Sequence, residues 1–133
     1  MMKGLAHVCF SVADLDRSLK FYRDGLGMKL AFEFKNKEGR RTGLYLKAGG
    51  RNFIELFEGK PGVPAEGQSF RHVCLEVDDV EGTVKALRAK GIEVTDSKLG
   101  LDQSHQAWLT DPDGNRFELH GYTPQSWQTP HLT

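Results

Sequence analysis

HVCFSVADLDRSLK (residues 7–20) is matched later in the chain by HVCLEVDDVEGTVK (residues 72–85). The same His, Val, Cys, Val, Asp and Lys stand at equivalent places, and most other positions are conservative, such as Leu15 against Val80. Residues 44–56 and 107–119 also align without a gap. Because self-similarity along a chain marks repeated structural units, the sequence predicts two copies of one unit.

Each copy predicts a strand, a helix and three further strands. Residues 7–12 and 72–77 alternate between polar and apolar side chains, as a strand with two different faces does. Asp14 and Asp79 follow as helix N-caps. The predicted buried stripes of the two helices are Leu15, Leu19, Tyr22 and Leu26, and Val80, Val84 and Leu87. The further strands are predicted at residues 29–34, 43–46, 52–57, 92–96, 106–110 and 116–121.

These elements predict an α+β fold in which two tandem βαβββ modules form a curved mixed sheet. A single domain is expected over residues 1–133, with module one at about residues 4–58 and module two at about 69–122. Residues 59–68 are rich in Gly and Pro and are predicted to be a linker. The tail, residues 123–133, lacks periodicity and is predicted to be an extended or disordered arm.

The composition argues against several classes of partner. The 18 basic residues balance 18 acidic ones, so no charge excess favours nucleic acid or an anionic membrane. No apolar run is long enough to span a membrane, and the first residues lack the apolar core of a signal peptide. Cys9 and Cys74 form neither a CxxC pair nor a disulfide framework. We therefore expect a reduced, cytoplasmic protein that acts on a small molecule.

Strand alternation places two His–Glu pairs on the sheet face opposite the helices. His7 and Glu55 point away from the helix in module one, and His72 and Glu118 do so in module two. If a pseudo-twofold relates the modules, the four side chains meet at one centre. Two imidazoles and two carboxylates suit a divalent transition metal in an open site. A single His or Glu on a sheet face is usually only solvated, but the recurrence of both types in both copies favours a metal site.

Other residues have weaker claims to function. Cys9 and Cys74 are predicted to be small apolar fillers inside the sheet rather than nucleophiles. His120 shares the face of Glu118 and is a candidate to support that ligand, and Phe53 and Phe57 are predicted to line the pocket wall. Residues 97–106 are interpreted as a lid over the pocket or a plain loop. Solvation is the expected role of His105. The arginines Arg40, Arg41, Arg71 and Arg116 are candidates to bind a carboxylate of the substrate, although solvation is the expected role of most of them. His131 is a candidate for a fifth contributor to the metal site, although disorder of the tail is the favoured interpretation.

The stretches HVCFSVADLDRSLKFYRDGLG and TDPDGNRFELHG resemble those of the vicinal oxygen chelate superfamily. The resemblance covers residues 4–122. That superfamily includes glyoxalase I, extradiol dioxygenases, epimerases, fosfomycin-resistance thiol transferases and bleomycin-resistance proteins. Its metal positions fall on His7, Glu55, His72 and Glu118, and this complete set is similar to the glyoxalase I pattern.

The resemblance implies a divalent-metal-dependent lyase or isomerase similar to lactoylglutathione lyase. The metal (Ni, Co, Zn, Mn or Fe) would bind adjacent oxygens of a small α-oxo or α-hydroxy carbonyl compound, or of its thiol adduct, and stabilise an enediolate. By analogy, Glu118 is the catalytic base and Glu55 is its partner across the site. The resemblance also implies a homodimer, with the halves of a site supplied by one chain or by two.

Two other functions stay open at this point. A dioxygenase or thiol transferase of the same superfamily would use two His and one carboxylate, so that Glu55 would be surplus. A non-catalytic small-molecule-binding protein would keep the fold, although proteins of that kind generally lack the full ligand set.

Overall fold

The computed structural model describes all residues from Met1 to Thr133, which divide into two units, Met1–Val63 and Pro64–Thr133. The elements of the first unit are β1 (His7–Val12), α1 (Leu15–Leu19), a π-helical segment (Lys20–Gly25), β2 (Lys29–Lys35), β3 (Arg41–Gly49) and β4 (Asn52–Glu58). Those of the second are β5 (Val73–Glu76), α2 (Val80–Ala89), β6 (Lys98–Leu99), β7 (His105–Thr110), β8 (Arg116–Gly121) and a 3₁₀ turn (Thr129–His131). Neither helix is long and apolar enough to cross a membrane.

Each unit contains one four-stranded mixed sheet, in the order β1-β4-β3-β2 and β5-β8-β7-β6. The first and last strands of each unit pair in parallel, and the remaining neighbours are antiparallel. A parallel pair needs a crossover connection, which in both units contains the helix. The predicted α+β class and its βαβββ modules are confirmed.

The helix of each unit begins at its predicted cap. The Asp14 side chain accepts hydrogen bonds from the backbone N–H groups of Asp16 and Arg17, at 2.9 and 3.0 Å. Asp79 accepts one from the N–H of Gly82 at 3.0 Å. These bonds satisfy amide groups that have no partner within the first turn of a helix.

The helical stripe of module one differs from the prediction at its end. Leu15, Leu19 and Tyr22 are buried, but Leu26 is only half-buried and Phe21 is buried in addition. From Lys20 the helix widens into a π-helical segment. The Leu26 N–H, for example, donates to the carbonyl of Phe21, five residues earlier, instead of to the carbonyl four residues earlier. The wider turn rotates later side chains, so α-helical spacing no longer predicts the buried face.

The core of each unit lies between the helix and one face of the sheet. In module one, the inward side chains of the sheet are almost inaccessible: Val12, Leu44, Leu46, Ile54 and Leu56. In module two, the sheet contributes Ala107, Leu109, Phe117 and Leu119 to the core, and the helix α2 contributes Val80, Val84 and Leu87. Because apolar residues fill this face, the opposite face of each sheet is left for polar groups.

Two strand predictions in module two need correction. Residues 92–96 do not form a strand, because the Thr95 side chain replaces part of the backbone ladder. The Thr95 N–H donates to the Trp108 carbonyl, but the Trp108 N–H donates to Thr95 Oγ1. The short edge strand is Lys98–Leu99 instead. The first strand begins at Val73, so His72 immediately precedes β5.

The tail is folded, which contradicts the prediction of an extended or disordered arm. The Trp127 N–H donates to the Asp102 carbonyl at 2.9 Å, and Thr123 Oγ1 donates to the Gln103 carbonyl at 2.7 Å. Ser104 Oγ donates to Ser126 Oγ at 2.7 Å, and both serines are buried. Short polar side chains thus anchor the tail to residues 100–104, a turn that closes the β6–β7 hairpin. These contacts are made by polar side chains that do not recur with the period of a helix or a strand, so the sequence pattern did not predict them.

Candidate metal centre

The His–Glu pair of module one follows from the parallel register of β1 and β4. Cys9 lies opposite Glu55, so His7, two residues earlier, lies on the same face. His7 Nε2 is 3.7 Å from Glu55 Oε1, and the carboxylate side chain is largely buried. The Tyr45 hydroxyl lies 3.4 Å from His7 Nδ1, which leaves Nε2 directed at Glu55. An imidazole held at one nitrogen is oriented to offer the other as a ligand.

Module two repeats this arrangement in tighter form. Cys74 lies opposite Glu118, and His72 Nε2 is 3.1 Å from Glu118 Oε2. Only 11% of the Glu118 side chain is accessible, against 17% for Glu55. The His72 ring meets the Trp108 ring edge-on at 4.8 Å between centroids. Each module therefore brings together the predicted His and Glu.

Two further residues of module two lie behind Glu118. The buried His120 places Nδ1 3.0 Å from Glu118 Oε1, as the shared strand face predicted. Asp102 Oδ2 lies 3.8 Å from His120 Nε2, a contact that sequence reasoning missed. Donor atoms of Cys74, Glu118 and His120 lie within 4.8 Å of one another, so this group offers a second possible ligand combination. Asp102 lies in an irregular turn two residues after Gly100, where strand alternation gives no indication of the direction of a side chain.

The two cysteines are exposed, so the prediction that they fill the interior of the sheet is wrong. Both lie on the polar face because they share strand parity with the histidines, and their thiols hydrogen-bond to Glu55 and Glu118. Local desolvation, together with the hydrogen bond and negative charge of Glu55, raises the pKa of Cys9 to about 11. Desolvation and the charge of Glu118 raise the pKa of Cys74 to about 12. Both groups are therefore neutral thiols near pH 7.

Aromatic rings cover the rest of the polar face of module one. Tyr45 stacks on Phe53 at 4.8 Å between centroids and on Phe32 at 4.7 Å. Phe57 packs against Phe34 at 4.9 Å. Phe53 and Phe57 share the face of Glu55, as strand alternation predicted, and their place in a pocket wall stays a prediction.

The remaining candidates lie away from the pairs or are engaged elsewhere. His105 begins β7 and lines a cleft beside α2, on the helix side of the sheet. His131 is exposed in the 3₁₀ turn. Arg40 pairs with Glu58, Arg41 with Asp16 and Glu33, and Arg116 lies over the Trp108 ring at 4.1 Å. These arginines already have partners, and Arg71 is exposed.

Comparisons with known proteins place these features in a family. The sequence profile described as the Glyoxalase/Bleomycin resistance protein/Dioxygenase superfamily matches residues 4–119. A probable lactoylglutathione lyase of Vibrio parahaemolyticus is 33% identical over 122 residues, which cover 86% of this chain and 88% of that protein. A metallothiol transferase of Staphylococcus epidermidis is 30% identical over 119 residues, covering 86% and 78% respectively.

Two further comparisons bear on length and on fold. A probable chloroplastic lactoylglutathione lyase of Arabidopsis thaliana is 35% identical over 131 residues, which cover 92% of this chain. The chain spans only 37% of the length of that relative. A glyoxalase family protein from Enterococcus faecalis has a solved structure that matches with a TM-score of 0.76 at 26% identity. That match covers 89% of this chain and 97% of the other.

Proposed function

The chain belongs to the Glyoxalase/Bleomycin resistance protein/Dioxygenase superfamily, and we propose that it is a divalent-metal-dependent lyase or isomerase of the glyoxalase I type. Its substrate is a small α-oxo or α-hydroxy carbonyl compound or the adduct of that compound with a thiol. Relatives named as lactoylglutathione lyases, at 33% and 35% identity, support this reaction class.

One observation carries the proposal: both modules hold a His nitrogen close to a Glu oxygen at equivalent positions. The distances are 3.7 Å for His7 and Glu55 and 3.1 Å for His72 and Glu118. We propose that these four residues hold one divalent ion of Ni, Co, Zn, Mn or Fe. Two neutral imidazoles and two carboxylates suit such an ion, because the carboxylates balance its charge and the imidazoles match its borderline hardness.

The chemistry divides between the ion and the side chains. A bound divalent ion supplies Lewis-acid stabilisation of negative charge on the two adjacent substrate oxygens. Glu118 takes a proton from one carbon and returns it to the neighbouring carbon, so that one C–H bond breaks and another forms without net oxidation. Glu55 assists as the second carboxylate. The Tyr45 ring packs edge-on against the His7 ring and stacks on Phe53, so an apolar surface lies beside the proposed ligands.

Thiol transfer is the second candidate, favoured by the similarity to a metallothiol transferase and by the looser contact of Glu55. In that reaction His7, His72 and Glu118 would be the ligands and Glu55 would be dispensable. Glu55→Gln therefore separates the two candidates. The matched control is Glu58→Gln, which makes the same change on the same strand at a residue paired with Arg40.

Turnover of the methylglyoxal hemithioacetal tests the first candidate directly. Methylglyoxal is mixed with glutathione or other thiols, and hemithioacetal loss is followed with and without a chelator. We expect thiol-dependent loss that stops with the chelator, recovers when metal is restored, and falls at least about 100-fold in Glu55→Gln but not in Glu58→Gln. Absence of turnover with every thiol contradicts the lyase. Substrate binding without metal, unaffected by Glu55→Gln or His72→Ala, would identify a non-catalytic binding protein.

We also propose that the protein works as a homodimer in the reducing cytoplasm. Cys9 and Cys74 are both free thiols, which fits that compartment.

A further inference from the structure

The two oxygens of Glu118 are held by different partners. His72 Nε2 lies 3.1 Å from Oε2, and His120 Nδ1 lies 3.0 Å from Oε1. A carboxylate only accepts hydrogen bonds, so His120 Nδ1 is the donor in this contact. Glu118 and His120 are both buried. The hydrogen bond from His120 to Oε1 thus fixes the orientation of the carboxylate, while the other oxygen, Oε2, faces His72.

Module one has no equivalent of this support. Phe57 occupies the position that matches His120 in the repeat, and its ring packs against Phe34 rather than hydrogen-bonding to Glu55. The contacts of Glu55 are with the exposed His7 and with the thiol of Cys9. The two glutamates therefore differ in how firmly they are held, although their strands have the same register.

His120 is itself held by residues that connect to the tail. Its Nε2 atom is buried without a hydrogen-bond partner and faces Asp102 Oδ2 at 3.8 Å. That same oxygen accepts a 2.6 Å hydrogen bond from Gln128 Nε2, and Asp102 Oδ1 accepts one from the Ser104 N–H. The Tyr122 ring contacts the His120 ring edge-on at 4.9 Å. A continuous series of contacts thus runs from Glu118 through His120 and Asp102 to the tail.

We propose that His120 is a positioning residue that fixes the Glu118 carboxylate for metal binding, and that Asp102 and Gln128 hold His120 in place. This inference rests on the proposed function, since it takes Glu118 as a metal ligand. A ligand with a fixed orientation loses less freedom when the metal binds. Loss of a hydrogen bond behind a ligand typically costs about 10- to 100-fold in metal affinity.

Two substitutions at one position separate hydrogen bonding from packing. His120→Phe introduces the residue type that module one carries at Phe57 and removes the donor. His120→Asn restores a donor near the position of Nδ1. His105→Asn is the matched control, because His105 is exposed and lies on the neighbouring strand. Affinity for Co²⁺ is measured on metal-free protein by calorimetry, and the visible spectrum of the Co²⁺ complex reports the ligand geometry.

We expect His120→Phe to bind Co²⁺ at least about tenfold more weakly and with a changed spectrum. His120→Asn should recover most of the affinity and the original spectrum, and His105→Asn should match the parent protein. If His120→Phe fails to fold, Gln128→Leu provides the test, with a loss of about two- to fivefold expected from its indirect action. Parent-like affinity and spectrum in His120→Phe would overturn the inference, as would an Asn variant no better than the Phe variant.

The outcomes for the inference and for the proposed function are distinguishable. If the parent protein binds Co²⁺ but no thiol adduct is turned over, the lyase proposal fails and the affinity series still decides the role of His120. If the parent protein binds no divalent metal, both are overturned.

Discussion

At the scale of single residues, the thiols beside the glutamates combine exposure with a low tendency to ionise. Cys9 and Cys74 are accessible, yet partial desolvation and the adjacent carboxylates raise their pKa to about 11 and about 12. Reactivity of a cysteine depends on its thiolate, so accessibility alone does not make these groups nucleophiles.

We predict that metal-free folded protein reacts with iodoacetamide at pH 8 at least about tenfold more slowly than the same protein unfolded in urea. The rate of the folded protein should keep rising with pH up to about 11 for Cys9, whereas that of the unfolded protein levels off above about pH 9. Mass spectrometry of labelled peptides assigns the rates to Cys9 and Cys74. Rapid labelling of the folded protein at pH 8 would contradict the raised pKa values.

The same shifts predict how stability depends on alkaline pH. Below the ordinary thiol value of 9.0, folded and unfolded chains are both protonated and the thiols favour neither state. As pH rises from about 9 to about 11, only the unfolded chain loses these protons, so the free energy of unfolding falls. Urea unfolding of metal-free Cys9→Ser and Cys74→Ser proteins should show a weaker fall over this window than the parent. An identical pH slope in all three proteins would exclude this contribution.

At the scale of elements, the tail is part of the folded second module. Ser126 Oγ donates to the Gln103 carbonyl, and it accepts bonds from Ser104 Oγ and the Thr123 N–H. We predict that Ser126→Ala lowers the free energy of unfolding by about 1–3 kcal/mol, because buried polar groups lose their partner. Urea denaturation measures this change. Gln125→Ala, at an exposed neighbouring position, should stay within about 0.5 kcal/mol of the parent.

Sequence reasoning succeeded where a feature followed from periodicity. Strand parity placed His7 with Glu55 and His72 with Glu118, because alternation depends only on the backbone. It failed beside β7, where the Thr95 side chain accepts a hydrogen bond that a backbone carbonyl would accept in a regular strand pair. It also failed from Lys20 onward, where the helix changes from α-helical to π-helical hydrogen bonding. Asp102 was missed for the same reason, since its direction is set by an irregular turn and by Gln128 of the folded tail.

At the scale of the whole molecule, each module supplies only one His–Glu pair, so a proposed four-ligand site needs two modules. The two modules of a site come either from one chain or from two chains of a homodimer, and subunit exchange distinguishes these arrangements. If each site combines modules of different chains, inactive His7→Ala and His72→Ala proteins, mixed and allowed to exchange subunits, should regain roughly a quarter of parent activity, because half of random dimers then contain one intact site. Each variant mixed with itself is the control. No recovery, despite heterodimers detected by native mass spectrometry, would place each site within one chain.

The shared register of the repeat also bears on how such a protein could arise. Cys9 faces Glu55 and Cys74 faces Glu118, so both halves share one strand pairing along with one His–Glu pair. Two copies of either half alone would therefore carry the same set of ligand types, two His and two Glu. The contrast between Phe57 and His120 marks a position at which the two halves are not interchangeable.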